Sequence, residues 1–371
     1  MGYDTHVCLV SAQPLPNLIP ILHQDLRPRR VVLLVSDDMQ QRARTLGEIL
    51  PQWGLAVESR PVSHTDGDAV RKAVEAVLAE RKGERVVLNV TGGTKIMALA
   101  AYEAFRAAGQ PVFYVDTDSD EIRFLWEGPV LPMANVVDTT TYLRAYGYKM
   151  TEVRESVPDA WAVAARTMGA QVGRWREALL ALNACCEGVA KHKLATPRPV
   201  EYSAGMGEVL SLLERHGLVR VEVARGRRYL RFPGPEELGF IRGGWLEVYV
   251  YDLVRRMEGA LEPLMGVKCL SARGVTNELD VVFTFRNRLF IVECKSGKGK
   301  HNKGMPYKLD AVRDKVGGLF GRVMYVSVDR VSDMEYLRAQ EWKMQVVQGE
   351  EIAALPDILQ AWTGAGRRGE G

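Results

Sequence analysis

The sequence has no long hydrophobic run and little cysteine. Its longest apolar stretches, such as residues 31–35, are far shorter than the roughly 20 residues of a membrane-spanning helix. Residues 1–6 do not resemble the start of a secretory signal. The five cysteines are odd in number and show no CxxC spacing, which argues against a disulfide framework and against a zinc site. We therefore expect a protein of the reducing cytoplasm that has no membrane association.

The net charge is also low, because 49 basic residues against 46 acidic ones give only +3. By itself this value suggests no polyanionic partner. The charge is uneven, however: residues 1–150 carry 16 basic and 18 acidic side chains, and residues 151–371 carry 33 and 28. A chain of 371 residues is long enough for two domains or more. The sequence therefore predicts a slightly acidic first half and a basic second half.

Residues 1–147 alternate short β-branched runs with helical patterns, which is typical of a parallel sheet flanked by helices. The predicted strands are 6–10, 31–36, 56–61, 85–90, 112–116 and 122–126. The predicted helices are 39–50, 69–81 and 94–108. This pattern indicates a Rossmann-like α/β domain.

The rest of the chain divides into a connector, a second domain and a tail. The connector, residues 148–240, is predicted to contain helices at 170–191 and 207–216 and a β-hairpin at 218–232, a pattern weakly similar to a winged helix. Residues 241–363 predict an α+β domain, and residues 364–371 are a flexible tail. The elements predicted in this domain are helices 245–258 and 308–317 and strands 266–271, 277–285, 289–295 and 322–328.

The turn after the fourth predicted strand has a composition suited to phosphate. It contains, in order, Thr91, Gly92, Gly93, Thr94 and Lys95, and a helix follows. Glycines let backbone amides approach an anion, hydroxyls donate hydrogen bonds, and the lysine and the helix N-terminus both favour negative charge. The turn is neither GxxxxGK[ST] nor GxGxxG, which disfavours an ATPase or a dinucleotide enzyme. A tight turn with a solvated lysine is the alternative.

A second polar loop follows the first predicted strand and contains Ser11 and Gln13. In open α/β sheets, ligands bind beyond the carboxyl ends of the strands at a topological switch point, where loops after strands 1 and 4 can meet. Ser11, Gln13, Thr91 and Lys95 are therefore candidates for one binding site. Taken alone, Ser11 and Gln13 also fit ordinary turn and cap residues.

These two loops resemble a known family. A small polar loop after strand 1, followed later by N-x-T-G-G-T-K-x-M, is similar to the CARF domain, the sensor of CRISPR-linked immune effectors. The resemblance implies that Ser11, Gln13 and the turn 91–95 bind a cyclic oligoadenylate across the two-fold axis of a homodimer. It favours cyclic tetra-adenylate, although the residues themselves do not fix the ring size.

Two carboxylates and a lysine lie on adjacent predicted strands in the last domain. Asp280 is in one strand, and Glu293 and Lys295 are in the next. A two-residue turn at 286–287 places Asp280 opposite Glu293, with Cβ atoms about 4.5–5.5 Å apart. Only a loop of even length groups these charges. The alternative is a solvated strand face on which Glu278 pairs with Lys295.

Neighbouring carboxylates repel each other unless a cation lies between them, and Mg²⁺ or Mn²⁺ prefers oxygen ligands. Asp280 and Glu293 are therefore the predicted metal ligands. Lys295 would orient or help deprotonate a metal-bound water and stabilise charge that develops at phosphorus.

This D-x(12)-E-C-K pattern resembles the PD-(D/E)xK nuclease superfamily, with leucine in place of the proline before Asp280. The resemblance implies catalytic roles for Asp280, Glu293 and Lys295. It also suggests that Glu247, near the start of a predicted helix, is a further acid at the metal. Pairing of Glu247 with Arg255 is the alternative.

A CARF-like domain followed by this nuclease pattern resembles the CRISPR-associated nickases that cyclic oligoadenylates activate. The resemblance implies a metal-dependent endonuclease of type III CRISPR defence, in a prokaryotic cytoplasm, with a cyclic oligoadenylate as allosteric activator. The sequence leaves open whether the substrate is DNA or RNA, whether duplexes are nicked or cut through, and whether the sensor degrades its effector.

Two basic tracts lie in the half that carries the nuclease pattern. Residues 215–231 contain six arginines and one acid, and residues 295–308 contain five lysines and no acid. Neutralisation of nucleic-acid phosphates is one explanation of both tracts. The alternative is that each tract is a solvated surface loop. The predicted contacts to nucleic acid are Lys298, Lys300, Lys303, Lys308 and Arg313.

Two other functions compete with the nuclease. An effector-sensing transcription regulator would bind duplex DNA through the winged-helix-like connector and use the last domain only as a structural part, but clustered carboxylates would serve no purpose there. A nucleotide-metabolising Rossmann enzyme is disfavoured because the first domain has no GxGxxG.

Overall fold

Two mixed β-sheets, one in each half of the chain, organise the molecule. The structure is a computed structural model that describes residues 2–126, 128–154, 156–190, 192–298 and 304–364. Within these residues, the first sheet has seven strands and the second has six, and a separate two-stranded hairpin lies in sequence between the first and second strands of the second sheet.

The N-terminal domain alternates strands and helices. Its strands are β1 (Thr5–Leu9), β2 (Arg30–Val35), β3 (Ala56–Pro61), β4 (Val86–Asn89), β5 (Val112–Asp116), β6 (Glu121–Phe124) and β7 (Val130–Pro132). Its helices are α1 (Leu15–Leu22), α2 (Gln40–Ile49), α3 (Gly67–Glu80), α4 (Lys95–Ala107) and α5 (Thr139–Ala145). The sheet order is β3-β2-β1-β4-β5-β6-β7, with β1 to β5 parallel and β6 and β7 antiparallel. The predicted Rossmann-like topology is confirmed, and its switch point lies between β1 and β4.

Helix α1 was not predicted, because it contains Pro16 and Pro20. Pro16 is in the first turn, where a missing N–H costs nothing. Pro20 cannot donate to the carbonyl of Pro16, four residues earlier. The Asn89 side chain donates to that carbonyl instead, at 2.8 Å, so the helix keeps the acceptor satisfied.

The connector contains three helices and a hairpin. The helices are α6 (Asp159–Ala170), α7 (Val172–Glu187) and α8 (Ala204–Arg215), and the hairpin strands are β9 (Arg220–Ala224) and β10 (Arg227–Arg231). The helix predicted at 170–191 corresponds to α7, whereas α6 was not predicted. Three helices followed by a β-hairpin is the element order of a winged helix.

The C-terminal domain encloses the second sheet. Its strands are β8 (Tyr148–Glu152), β11 (Leu261–Ser271), β12 (Thr276–Phe285), β13 (Arg288–Lys295), β14 (Gly321–Ser327) and β15 (Gln345–Gln348). Its helices are α9 (Pro235–Gly239), α10 (Trp245–Arg255), α11 (Met305–Val312), α12 (Asp333–Glu341) and α13 (Leu355–Thr363). The order is β15-β14-β13-β12-β11-β8. The edge strand β8 directly follows α5 of the first domain, so the chain enters the second sheet earlier than the sequence indicated.

The turn between β12 and β13 has the predicted length. Arg286 and Asn287 have left-handed φ values of +47° and +57°, which is typical of a two-residue hairpin turn. The register runs from Phe285 opposite Arg288 to Val281 opposite Val292. The predicted register of this hairpin is therefore confirmed over these pairs.

The two domains share one hydrophobic core. Val10 and Leu15 of the first domain belong to the same buried cluster as Leu279 and Ile291 of the second. Asn287 adds polar contacts, because its side-chain oxygen accepts from the backbone N–H groups of residues 136 and 137 at 3.0 and 3.1 Å. The sheets are thus joined by buried contacts rather than by a linker.

Among the described residues, the helices are too short or too polar to traverse a bilayer.

Candidate active site and anion-binding turn

The loops after β1 and β4 meet at the switch point. A Cβ on Gly92 would lie 2.1 Å from the carbonyl oxygen of Leu9 and 3.5 Å from the hydroxyl oxygen of Ser11, so only glycine allows this approach. Gly93 has a φ of +72°, a conformation that also favours glycine. The structure therefore brings the Ser11 loop and the glycine turn together.

The hydroxyl of Thr91 serves the turn itself. It donates to Asn89 Oδ1 at 2.7 Å and accepts from the backbone N–H of Val115 at 2.8 Å. Asn89 also donates to Asn17 Oδ1 at 2.9 Å. Thr91 thus positions the turn through its hydroxyl, and its part in binding an effector stays a prediction. Sequence reasoning gave no separate role to Asn17 or to Asn89, the first residue of the N-x-T-G-G-T-K-x-M pattern.

The hydroxyl of Thr94 is also engaged. It donates to the carbonyl of His64 at 2.9 Å, and its oxygen caps α4 by accepting from the N–H of Met97 at 3.2 Å. The first N–H groups of α4 are left for an anion. Within the described part of the chain, Lys95 is exposed and has no acidic partner. Backbone amides and Lys95 are therefore the donors that this turn offers.

Gln13 lies at the boundary between the two domains. Its side-chain oxygen accepts from the hydroxyl of Tyr146 at 2.6 Å. A Cβ on Gly318 would lie 3.1 Å from the same oxygen and 2.6 Å from the Tyr146 ring. Tyr142 stacks on Tyr146 and donates to the carbonyl of Gly317 at 2.6 Å. The loop after β1 therefore touches the C-terminal domain through two tyrosines.

Strands β12 and β13 bring the predicted carboxylates and lysine together. Lys295 Nζ lies 2.9 Å from Glu293 Oε1 and 3.7 Å from Asp280 Oδ2. The backbone N–H of Cys294 donates to Asp280 Oδ2 at 2.7 Å. Only 14% of the Asp280 side chain and 7% of the Glu293 side chain are exposed. The alternative, in which Glu278 pairs with Lys295, is absent among the described contacts, because Glu278 lies opposite Lys268 of β11.

Burial makes these charges costly. Burial and then the charge of Glu293 raise the pKa of Asp280 to about 6. Burial and then Asp280 raise the pKa of Glu247 to about 7. Burial acts in the same direction on Glu293, but the ammonium groups of Lys295 and Lys308 hold its pKa below the ordinary value. Although burial opposes it, the carboxylates raise the pKa of Lys295. Lys295 is therefore a stable cation and a poor proton acceptor at neutral pH.

Glu247 reaches this site from α10, which packs against β11, β12 and β13. Arg255, its alternative partner, donates instead to Asp252 at 2.9 Å. The end of β13 is also tied to the connector, because Asn183 of α7 donates to Ser296 Oγ at 3.0 Å. Residues from three segments thus surround the carboxylates.

The donor set fits a hard divalent cation. Across the described ranges there is no group of three or more His, Cys, Asp or Glu side chains arranged to hold a metal. Mg²⁺ is commonly bound through one or two carboxylates, with water and substrate phosphate as its other ligands. Asp280 and Glu293 supply such a pair, and a cation there would relieve the repulsion that raises the pKa of Asp280. A role for Mg²⁺ or Mn²⁺ stays a prediction.

The predicted nucleic-acid contacts differ in their surroundings. Lys308 Nζ lies 2.9 Å from Glu293 Oε1, at a cavity of about 80 Å³ that Tyr325 also lines. The guanidinium of Arg313 donates to Asp310, Asp314 and a backbone carbonyl, and its contact to nucleic acid stays a prediction. Lys298 is exposed. The predictions for Lys300 and Lys303 lie outside the described residues.

Two family models match the chain. Residues 5–142 match the Card1 CARF domain, and residues 235–365 match the Card1-like endonuclease domain. The chain combines a CARF domain with an endonuclease domain, both of the Card1 type. The predicted resemblance is confirmed. A search of curated proteins finds no match.

Solved structures agree with this fold. Protein VC1899 from Vibrio cholerae has a TM-score of 0.87 and 23% identity, with 98% of each chain covered. Can2 from Sulfobacillus thermosulfidooxidans, in complex with cyclic tetra-adenylate, has a TM-score of 0.80 and 27% identity, with 97% of each chain covered. A type III CRISPR defence DNA nuclease activated by cyclic oligoadenylate has a TM-score of 0.59 and 21% identity, over 89% of this chain and 46% of that one.

Glu247→Gln should stabilise the metal-free protein at about pH 8 and have little effect at about pH 5. A carboxyl whose pKa is raised to about 7 by folding binds a proton more tightly in the folded state, so stability falls as pH rises from the unfolded pKa to the folded one. Glutamine does not ionise, so Glu247→Gln removes this loss of folding stability, which is about 1–3 kcal/mol. Melting temperatures in a chelator across this pH range measure the effect.

The exposed Glu187→Gln is the control, and it should change the melting temperature at no pH in this range. If the wild type and Glu247→Gln show the same pH dependence, Glu247 does not have a raised pKa.

Proposed function

We propose that this protein is an endonuclease that requires Mg²⁺ or Mn²⁺ and is activated by a cyclic oligoadenylate. The observation that carries the proposal is the convergence of Asp280, in the middle of β12, with Glu293 and Lys295, at the end of β13, in the endonuclease domain. The CARF domain and the similarity to Can2, which is bound to cyclic tetra-adenylate, support the choice of effector. A transcription regulator would gain nothing from the buried carboxylates.

Each residue of the site has a separate role. Asp280 and Glu293 would hold the metal, and the chemistry that a metal would supply there is activation of a water for attack on phosphorus. Lys295, a cation at neutral pH, donates to the substrate and stabilises the charge that develops on the phosphate oxygens. Glu247, which is buried beside Asp280, would accept a proton at one of its carboxylate oxygens.

The ring binds where the two CARF loops meet. The N-terminus of α4 and Lys95 attract its phosphates, while Ser11, Gln13 and the glycine turn shape the pocket. Each chain supplies half of the pocket in a homodimer. Exposed apolar side chains on and beside α4 support this assembly: Leu99 of α4 is 68% exposed, and Trp126, which stacks on Tyr102 of the same helix, is 65% exposed.

Activation is a population shift in which the ring binds the cutting-competent arrangement more tightly than the idle one. Gln13 belongs to the effector loop and already contacts Tyr146 and Gly318. Gly318 directly follows the π-helical turn Arg313–Gly317, which continues α11. Helix α11 carries Lys308, which contacts Glu293. A displacement at Gln13 would therefore reach Glu293 through this helix.

The substrate is DNA, RNA or both, and the setting is type III CRISPR defence, as the similar nuclease activated by cyclic oligoadenylate suggests. Lys298 and Lys308 are exposed near the carboxylates and suit phosphate contacts. In this proposal residues 1–147 form the sensor, 148–240 the connector, which also contributes β8 and α9 to the nuclease domain, and 241–363 the rest of the nuclease.

Lys295→Ala and Asp280→Asn should each abolish cleavage and leave effector binding unchanged. The first removes the cation that stabilises the transition state, and the second removes a metal ligand. Cleavage of plasmid, single-stranded DNA and RNA, together with calorimetric binding of the ring, measures both effects. Lys268→Ala, in the same sheet, is the matched control and should keep activity. Retained cutting by Lys295→Ala and Asp280→Asn would refute the site.

Lys95→Ala should raise the ring concentration needed for half-maximal cleavage by about tenfold, because one charge-assisted phosphate contact is lost. Maximal cleavage should persist, since the metal site is intact. Calorimetry should also give one ring per two chains. Lys82→Ala, which removes the same charge elsewhere on the CARF domain, is the control. An unchanged dose response for Lys95→Ala would exclude this turn as the phosphate site.

A further inference from the structure

The hairpin of β9 and β10 is basic and exposed. It carries five arginines and one acid between residues 220 and 231. Its turn, Arg225 and Gly226, has left-handed φ values of +51° and +73°. Every residue from 222 to 228 is exposed, and 68% of the surface of Val223 is accessible. The hairpin is thus a positively charged ribbon that extends from the connector.

Arginines lie on both faces of this ribbon. Cross-strand pairing and the alternation of side chains place Arg220, Arg227 and Arg231 on one face and Arg228 on the other. Arg228 lies over the ring of Tyr202, with its guanidinium carbon 4.1 Å from the ring centre. This contact holds one cation in a fixed place on the second face.

Few of these charges are used within the protein. The single acid, Glu222, accepts from Arg231 Nε at 2.6 Å. Within the described ranges, Arg225 and Arg227 have no acidic partner and no hydrogen-bond acceptor. Two exposed cations at a turn contribute little to folding, and they raise the potential that attracts a polyanion.

The hairpin is fixed relative to the active site. Leu230 of β10 is fully buried in a core that also contains Val292 of β13. Asn183 of α7 donates to Ser296 Oγ, and Ser296 directly follows Lys295. Nucleic acid bound at the hairpin would therefore be held in a defined position relative to the carboxylates.

We propose that this hairpin binds the sugar–phosphate backbone of a DNA duplex, outside the point of cleavage; the proposal rests on the nuclease function above. A two-stranded ribbon enters a groove of B-form DNA, where arginines on its two faces meet the phosphates of the two walls. A single strand presents one row of phosphates, and the major groove of duplex RNA is too narrow and deep for a ribbon.

The test uses Asp280→Asn protein, which is expected to bind without cutting, and a fluorescent DNA duplex. Arg225→Ala/Arg227→Ala in this background should weaken duplex binding about tenfold and lower the salt slope of log K by about 2, since each phosphate contact contributes about 0.9. Arg225→Glu/Arg227→Glu should weaken it further. Lys72→Ala/Lys82→Ala removes the same charge from exposed positions of the CARF domain and should leave both quantities unchanged.

Unchanged affinity and salt slope in both hairpin variants would overturn the proposal. An equal loss of affinity for single-stranded DNA or duplex RNA would overturn the assignment to a DNA groove. Melting temperatures and ring binding check that the variants are folded. If the wild type cuts nucleic acid but the hairpin variants bind normally, only this proposal fails. If duplex binding depends on the hairpin but the wild type never cuts, only the nuclease function fails.

Discussion

One buried apolar core holds the sensor sheet and the nuclease sheet together. Val10, at the end of β1, and Ile291, in the middle of β13, belong to the same cluster. Close-packed interiors transmit small displacements because they contain few voids that could absorb them. Strand β1, which leads to the loop of Ser11 and Gln13, and strand β13, which carries Glu293 and Lys295, therefore pack into one core. The proposed link between effector binding and cleavage depends on this shared core.

Hydrogen bonds at the edge of the core also connect the two domains. A hydrogen bond has discrete partners, so an exchange of partners is a defined structural change. The bond from Tyr146 to Gln13 and the bond from Tyr142 to Gly317 lie between the effector loop and the segment that continues α11. A ligand that competes for Gln13 would change the partner of Tyr146. In the proposed activation, these two hydrogen bonds would link ring binding to the nuclease domain.

Sequence reasoning succeeded where local pattern determines structure. The two-residue turn at 286–287 sets a register that follows from counting residues, so the convergence of Asp280 with Glu293 was predictable. The partners of Thr91 and Arg313 were not predictable, because they come from contacts that only the folded chain creates. Helix α1 was missed for a similar reason, since the acceptor that Pro20 leaves unused is satisfied by Asn89, from a distant strand.

The central claim is that a ring bound at the CARF domain switches on a metal-dependent nuclease. The most direct measurement is cleavage of supercoiled plasmid, single-stranded DNA and RNA by the wild type, with Mg²⁺ or Mn²⁺, against a panel of cyclic oligoadenylates. The account predicts cutting only when both a ring and the metal are present. Equal cutting without any ring, or no cutting with every ring, would contradict it.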